Sequence, residues 1–510
     1  MKYIFSKAVL ACALLGGTLL QTSCDDMLET KNFTDMVDSN FFQSEGDFDA
    51  AVTALYLPLT VNWGYGDGGT GGWYNALFNA DLNAMLPGNE YTTDIMRTYN
   101  SSHEYMEFLV GPATNWGPSN VTFNMMRFVA RATDVIARIE QSTASTAEVR
   151  ARYVAEAKTL RAYYMFVLLD YFGPMNVKLD PATLNSTVIE PRPDNATYVA
   201  AIQNDLQAAI DCKAMPESYN NDAANWGRMS KSIAYAIRMK VNMHQKNWAA
   251  ASVDASKLMT MGYSLVDNYY DIFNTDRTSE HIWSIPANAA YDNFYVIEVL
   301  PGDFKRGYNY QGISYMKGTE DSYYSGWQAY CMRWEFYDTF IDGDVRKEGI
   351  LCKYETIDGT VKDRSHAMVG AIPLKFTDTQ EAAYGVMRAW PVIRYADVLL
   401  SFAEAENELN GPSIAAIDAV KKVTDRAHVE IPAQATASKD AFRKYLLAER
   451  GRELYCEGHR RQDQIRHGVF ISSARERGYN AQDYQVLYPV PQAAVIESNG
   501  IVKQNPGYTN

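Results

Sequence analysis

Between residues 148 and 173 the chain reads EVRARYVAEAKTLRAYYMFVLLDYFG, with Tyr153, Ala157, Leu160, Tyr164, Val167 and Leu168 at three- and four-residue spacing. That is the period of one buried helix face, and Gly173-Pro174 ends it. NATYVAAIQNDLQAAIDCK repeats the pattern through Val199, Ile202, Leu206 and Ile210, with Asn195 as its candidate cap. SKSIAYAIRMKVNMHQKN and WAAASVDASKLMTMG predict two helices joined by a very short turn. IRYADVLLSFAEAENELNG and SIAAIDAVKKVTDRA predict another pair, broken at Gly411-Pro412, and SKDAFRKYLLAERGRELYCEG one helix more. Tight helix pairs with small residues at Ala157, Ala162, Ala403 and Ala405 predict stacked helical hairpins of the tetratricopeptide kind. No clean 34-residue repeat accompanies them.

Between the helical segments the periodicity fades. Residues 61–120 are rich in Gly, Asn, Thr and aromatics, and residues 286–330 carry Tyr at 291, 295, 308, 310, 315, 323, 324 and 330, with Trp327. Loops this long are functional or disordered, and so many rings argue against disorder. The expectation is ordered loops laid over a helical scaffold. Trp283, in EHIWSIPA, reads as a core residue on a strand entering the second loop, and Trp116 as packing before a helix.

The N-terminus adds a location. Two lysines in MKYIFSK, thirteen mostly apolar residues from Ala8 to Leu20, and small residues before Cys24 describe a secretory signal of the lipoprotein type. The run is too short to span a bilayer, which takes roughly 20 apolar residues. The expected division is 1–23 as signal peptide and 24–510 as mature domain, with Cys24 lipidated and the lipid as anchor. Loss of Lys2 and Lys7 moves the net charge from −14 to −16. An acidic balance disfavours nucleic acid and polyanions, which reward Lys/Arg patches; a local basic patch overrides it. Cys212, Cys331, Cys352 and Cys456 show no metal-binding spacing; Cys331 and Cys352 are the nearest candidates for a bridge.

Candidate chemistry is sparse. Gly64, Gly66 and Gly69 spell G-x-G-x-x-G without the strand and helix that pattern requires. No Walker, nucleophile-elbow or H-E-x-x-H motif occurs, so no catalytic residue, metal or cofactor is assigned. His459 and His467, eight apart among arginines, read as solvent-facing, and Asp342–Asp344 as an acidic turn with the composition of a calcium loop. Glu449, Glu453 and Glu457 stack on one helical face and would repel unless compensated. Arg450, Arg452, Arg460, Arg461 and Arg466 are the cations nearest in sequence, and the expectation is a structural ion-pair network.

AERGRELYCEGHRRQDQIRHG (residues 448–468) resembles the C-terminal signature of the SusD/RagB family of outer-membrane nutrient-binding lipoproteins of Bacteroidetes. The closing LYPVPQAAVIESNGIVKQNPGY, the helices in WPVIRYADVLLSFAEAENELNG and EAKTLRAYYMFVLLDYFGPMNV, and the CDDMLE start extend that likeness from Cys24 to the C-terminus. Gly451, Gln464 and Gly500 depart from the pattern. The resemblance implies an all-α-dominated fold: about four tetratricopeptide-like helix pairs, an irregular loop-rich lobe and a few short strands. It implies no enzymatic activity. It implies a surface-exposed, lipid-anchored protein that captures oligosaccharides, or in some members peptides, and delivers them to a TonB-dependent, SusC-like transporter.

In the family, ligand-contacting aromatics lie in the loops flanking the central helix pairs. Six glycines within nine residues of NWGYGDGGTGGWYNALFN let a loop present its rings outward. Trp63, Tyr65, Trp73 and Tyr74 are the stacking candidates there, with Asp67 as hydroxyl partner. Opposite them stand Tyr291, Asn293, Tyr295, Tyr308, Tyr310 and Trp327. Rings suit the weakly apolar C–H faces of sugars; packing beneath the loops or against the transporter are the competing roles. A peptide-binding lid is the alternative function, and a lipid-anchored glycan hydrolase a more distant one.

Overall fold

The computed structural model describes residues 41–61, 76–100, 102–288, 291–305, 326–376 and 385–509, and the backbone alone at 309–310 and 313–314. Helices dominate. The first are α1 (Glu45–Leu55), α2 (Met85–Tyr91), α3 (Gly117–Phe123) and α4 (Met125–Gln141). The scaffold continues through α5 (Ala147–Phe172), α6 (Asn195–Asp211), α7 (Lys231–His244) and α8 (Trp248–Met259). It closes with α9 (Tyr395–Asn410), α10 (Ile414–Arg426), α11 (Lys439–Leu454) and α12 (Arg460–Arg466).

The sequence explains these boundaries. Thr146 caps α5 by accepting from the Val149 amide, and Gly173, at φ 76°, ends it. The α6 cap is Asp194, one residue before the Asn195 expected, and it accepts from the Thr197 amide. Ser413 caps α10 directly after the Gly411-Pro412 break. Along α5, Ala157, Leu160, Ala162, Tyr164 and Leu168 are fully buried, so neighbours on both sides cover the helix.

Each helix from α4 to α8 packs on its sequence neighbour, as in stacked hairpins. Then α8 packs on α9, across the whole of residues 260–394. Ser252 Oγ of α8 donates to Glu406 of α9 at 2.6 Å across that seam. The intervening segment is therefore an insertion into a continuous helical stack, and it forms the irregular lobe. Short antiparallel ladders organise it: β1 (Met96–Thr98) with β3 (Tyr330–Met332), and β2 (His281–Ile285) with β4 (Trp390–Arg394). Trp283 and Trp390 lie on the second ladder, fully buried as expected of Trp283.

The glutamates of α11 and the turn beyond it do form a buried network, with mostly different partners from those nearest in sequence. Arg346 pairs with Glu449 at 2.6 Å and Glu453 at 3.1 Å. Arg394 reaches Glu280 at 2.7 Å, Glu453 at 2.6 Å and Glu457 at 2.8 Å, and Lys375 meets Glu457 at 2.6 Å. Of the nearby cations, only Arg452 joins, at 2.7 Å from Glu449. Arg450 instead pairs with Asp397 and Asp463, Arg460 with Asp94, Arg461 with Asp170, and Arg466 with Glu404 and Asp463. Buried charges tolerate the interior only when paired in this way.

Several expectations are corrected. His459 is buried and the His467 side chain is only 4% exposed, rather than solvent-facing: His459 Nδ1 lies 3.4 Å from Lys240 Nζ, and His467 Nε2 lies 3.2 Å from Glu404. Asp344 of the acidic turn is committed to Arg346 at 2.8 Å. Cys331 and Cys352 do not bridge; none of the four cysteines among the described residues is in a disulfide. At Gly451 an added Cβ would lie 2.9 Å from Arg460 Nη1 and 3.2 Å from the Phe336 ring, so this departure from the family pattern makes room for the Arg460–Asp94 pair.

Candidate ligand-binding face

Three segments leave the described structure from one region of the lobe. The ends of 62–75 are drawn together where the Leu77 amide donates to the Pro58 carbonyl at 2.8 Å. Phe78, just beyond, packs on Trp283 at 5.9 Å and Tyr163 at 6.3 Å. The Ala80 carbonyl accepts from Tyr330 Oη at 2.8 Å, which ties this foot to β3. Residues 306–325 return at Gly326, and residues 377–384 return beside Val386, which exchanges backbone bonds of 2.9 and 3.0 Å with Asn293.

Between these feet lies the short helix Tyr295–Val299. Its carbonyls seize the returning chain: the Trp327 amide donates to Ile297 at 2.7 Å, and the Ala329 amide to Glu298 at 2.7 Å. Gly326 presses so closely that an added Cβ would lie 1.8 Å from the Leu300 carbonyl oxygen. Trp327 is thereby held with its ring over Phe294, centroids 6.3 Å apart and planes at 29°. Phe294 is buried, whereas Trp327 is 41% exposed. Tyr291, 54% exposed, exchanges backbone bonds of 3.1 Å with Asn288. A supported indole and a projecting phenol offer apolar faces with polar edges.

The other expected contacts divide in two groups. Asn293 and Tyr295 are buried and spent on the scaffold. Asn293 Oδ1 accepts from the Tyr295 amide at 3.0 Å, and Tyr295 Oη donates to the Pro373 carbonyl. The Tyr295 ring packs on Phe376 at 5.6 Å and Trp390 at 5.7 Å. Trp63, Tyr65, Asp67, Trp73, Tyr74, Tyr308 and Cys24 lie outside the described residues. Tyr310 is described only through its backbone, in the ladder of Asn309–Tyr310 with Ile313–Ser314. Trp116 packs edge-on against Tyr105 at 5.3 Å, as expected, while keeping a partly exposed ring.

Sequence reasoning missed the layer under this face. Glu298 and Asp81 are buried there, and Glu298 Oε1 has no hydrogen-bond partner. Burial first, and then the Asp81 charge, pushes the Glu298 carboxyl well above the usual carboxylate range. Glu90 accepts from the Gly458 amide at 2.7 Å, yet burial still raises it to about 8. A layer of buried carboxyls leaves no trace in local sequence pattern.

With this geometry in place, comparison with known proteins is informative. The sequence profile of the SusD family matches residues 353–508. SusD-like protein P25 of Formosa agariphila is 25% identical, the alignment covering 92% of this chain and 93% of that protein. Residues 353–508 thus carry the SusD family pattern. The starch-binding protein SusD of Bacteroides thetaiotaomicron is 23% identical over 87% of each chain. Among solved structures, surface glycan-binding protein A from B. thetaiotaomicron in complex with laminarihexaose superposes with a TM-score of 0.70. That similarity covers 91% of this chain and 99% of that one, at 19% identity. The profile match takes in Arg394, α9–α12 and Glu449, Glu453 and Glu457, and it begins after Trp327. Every candidate ligand residue therefore lies in the part of the chain outside the match. Among the described residues no helix is long and apolar enough to cross a membrane.

Proposed function

We propose that this chain is a SusD-family member, a non-enzymatic surface lipoprotein that captures oligosaccharides and passes them to a partner TonB-dependent outer-membrane transporter. Residues 1–23 act as the signal peptide, and lipid on Cys24 anchors the mature domain to the outer membrane. The observation that carries the reading is Trp327: an exposed indole backed by Phe294 and pinned at its amide. Such a ring stacks on the C–H face of a sugar, with Tyr291 alongside and polar groups bonding the hydroxyls. The names of the relatives, one starch-binding and one holding laminarihexaose, support a glycan as ligand. Trp63, Tyr65, Asp67, Trp73, Tyr74, Tyr308 and Tyr310 complete the proposed face from the loops above.

Calorimetric titration of the chain from Asp25 onward against neutral glycans, acidic glycans and peptide mixtures tests this. Binding to one glycan class is expected. Binding to peptides alone would reject the glycan reading in favour of peptide capture.

A further inference from the structure

On a chain with net charge −14, one notch gathers guanidinium groups without matching acids. Arg333, directly after β3, donates Nε to the Met96 carbonyl at 2.8 Å and Nη2 to Tyr479 Oη at 3.2 Å. Arg477 donates Nη1 to Ser473 Oγ at 2.6 Å and Nη2 to the Thr92 carbonyl at 2.8 Å. Its Nε is buried and has no partner. The two guanidinium carbons lie 5.9 and 5.8 Å from the Tyr479 ring centre. Neither arginine is in an ion pair with a carboxylate among the described residues. The one acid at hand, Asp94, is already held by both arms of Arg460, at 2.8 and 2.7 Å. Three guanidiniums thus face one carboxylate. Burial and the neighbouring Arg333 charge push Arg477 down to about 10.

Like charges held together in partial burial are costly unless an anion completes them. We infer that Arg333 and Arg477, with Tyr479 beside them, form a binding site for an oxyanion, the carboxylate or sulfate ester of a glycan. Planar guanidinium forks match the paired oxygens of such groups. Gly478 and Asn480, on either side of Tyr479, are exposed, and Arg333 and Arg477 are half-buried. β3 links it to the stacking platform: Arg333 is six residues beyond Trp327, so the two lie at most about 20 Å apart along the chain. An acidic oligosaccharide could lay a sugar on Trp327 and an anionic substituent on Arg477. This rests on the glycan reading above and adds an acidic substituent to it.

The test uses the chain from Asp25 onward, as wild type, Arg477→Gln and Arg477→Lys. Inorganic sulfate, against chloride at equal ionic strength, is expected to raise the melting temperature of wild type but not of Arg477→Gln. Affinity for oligogalacturonate is expected to fall about tenfold in Arg477→Gln and to recover in part in Arg477→Lys. Neutral laminari-oligosaccharides should bind all three alike. Equal responses of wild type and Arg477→Gln to both sulfate and oligogalacturonate would overturn the site. Arg477-dependent protection by sulfate, with no glycan bound by any form, would keep the oxyanion site and reject a glycan as its carrier.

Discussion

Arg394 and Glu453 meet at 2.6 Å with neither side chain exposed, and the same carboxylate is also paired with Arg426 and Arg346. One glutamate of α11 thereby ties β4, α10 and the 345–347 turn to the scaffold. Removing one member of a buried ion pair strands the others, at a cost of about 3–5 kcal/mol. Glu453→Gln is expected to destabilise the fold by that order in urea unfolding. Glu408→Gln, whose partner Arg443 is one-third exposed, should cost about 1 kcal/mol or less.

Acid should unfold the protein in two stages. Burial pushes His281 and His459 down to about 4, below their ordinary 6.5. The folded state therefore binds fewer protons than the unfolded chain between these values, and stability falls as pH drops from 6.5 towards 4. Asp397, Glu404 and Glu453 are held below the usual carboxylate range by neighbouring Lys and Arg, against the opposing cost of burial. Their contribution is present above about 4.5 and is lost at lower pH. Melting temperatures should therefore decline from pH 6.5 to 4 and more steeply below, with a shallower first stage in His459→Gln.

Glu90 gives the opposite sign. A carboxyl raised to about 8 contributes stability that is full below its unfolded value and lost as pH rises through 8. Glu90→Gln retains an acceptor for the Gly458 amide and removes the titration. Its melting temperature should match wild type at pH 5 and exceed it at pH 9; equal losses from pH 5 to 9 in both proteins would refute the assignment.

Gly326→Ala tests how Trp327 is held. The new methyl would sit 1.8 Å from the Leu300 carbonyl oxygen, so the returning strand must move. Ligand affinity should fall, with a loss of about 1–3 kcal/mol in global stability, because a backbone carbonyl cannot give way as a flexible side chain would.

How much of this was legible in sequence depends on range. Helix positions and caps are local, and periodicity located α5 to α11 to within a few residues, Asp194 for Asn195 being typical, while α1, α2 and α4 were not read from it. The stacking of Glu449, Glu453 and Glu457 was legible too. Their partners were not, because Arg346, Lys375, Arg394 and Arg426 arrive from distant elements. Buried histidines look the same in sequence as exposed ones, and His459 and His467 were misread for that reason. In the aromatic loops, Tyr291 and Tyr295 are four residues apart and chemically alike, yet one projects and the other is core. Only the ladder between Asn293 and Val386 separates their fates.

The central claim is that Trp327, backed by Phe294, is the platform on which a sugar rests. The most direct measurement is calorimetric titration of wild type and Trp327→Ala with the glycan that binds best, beside a thermal melt of each. A loss of about tenfold or more in affinity with an unchanged melting temperature is the expected result. Unchanged affinity in a folded Trp327→Ala protein would contradict it.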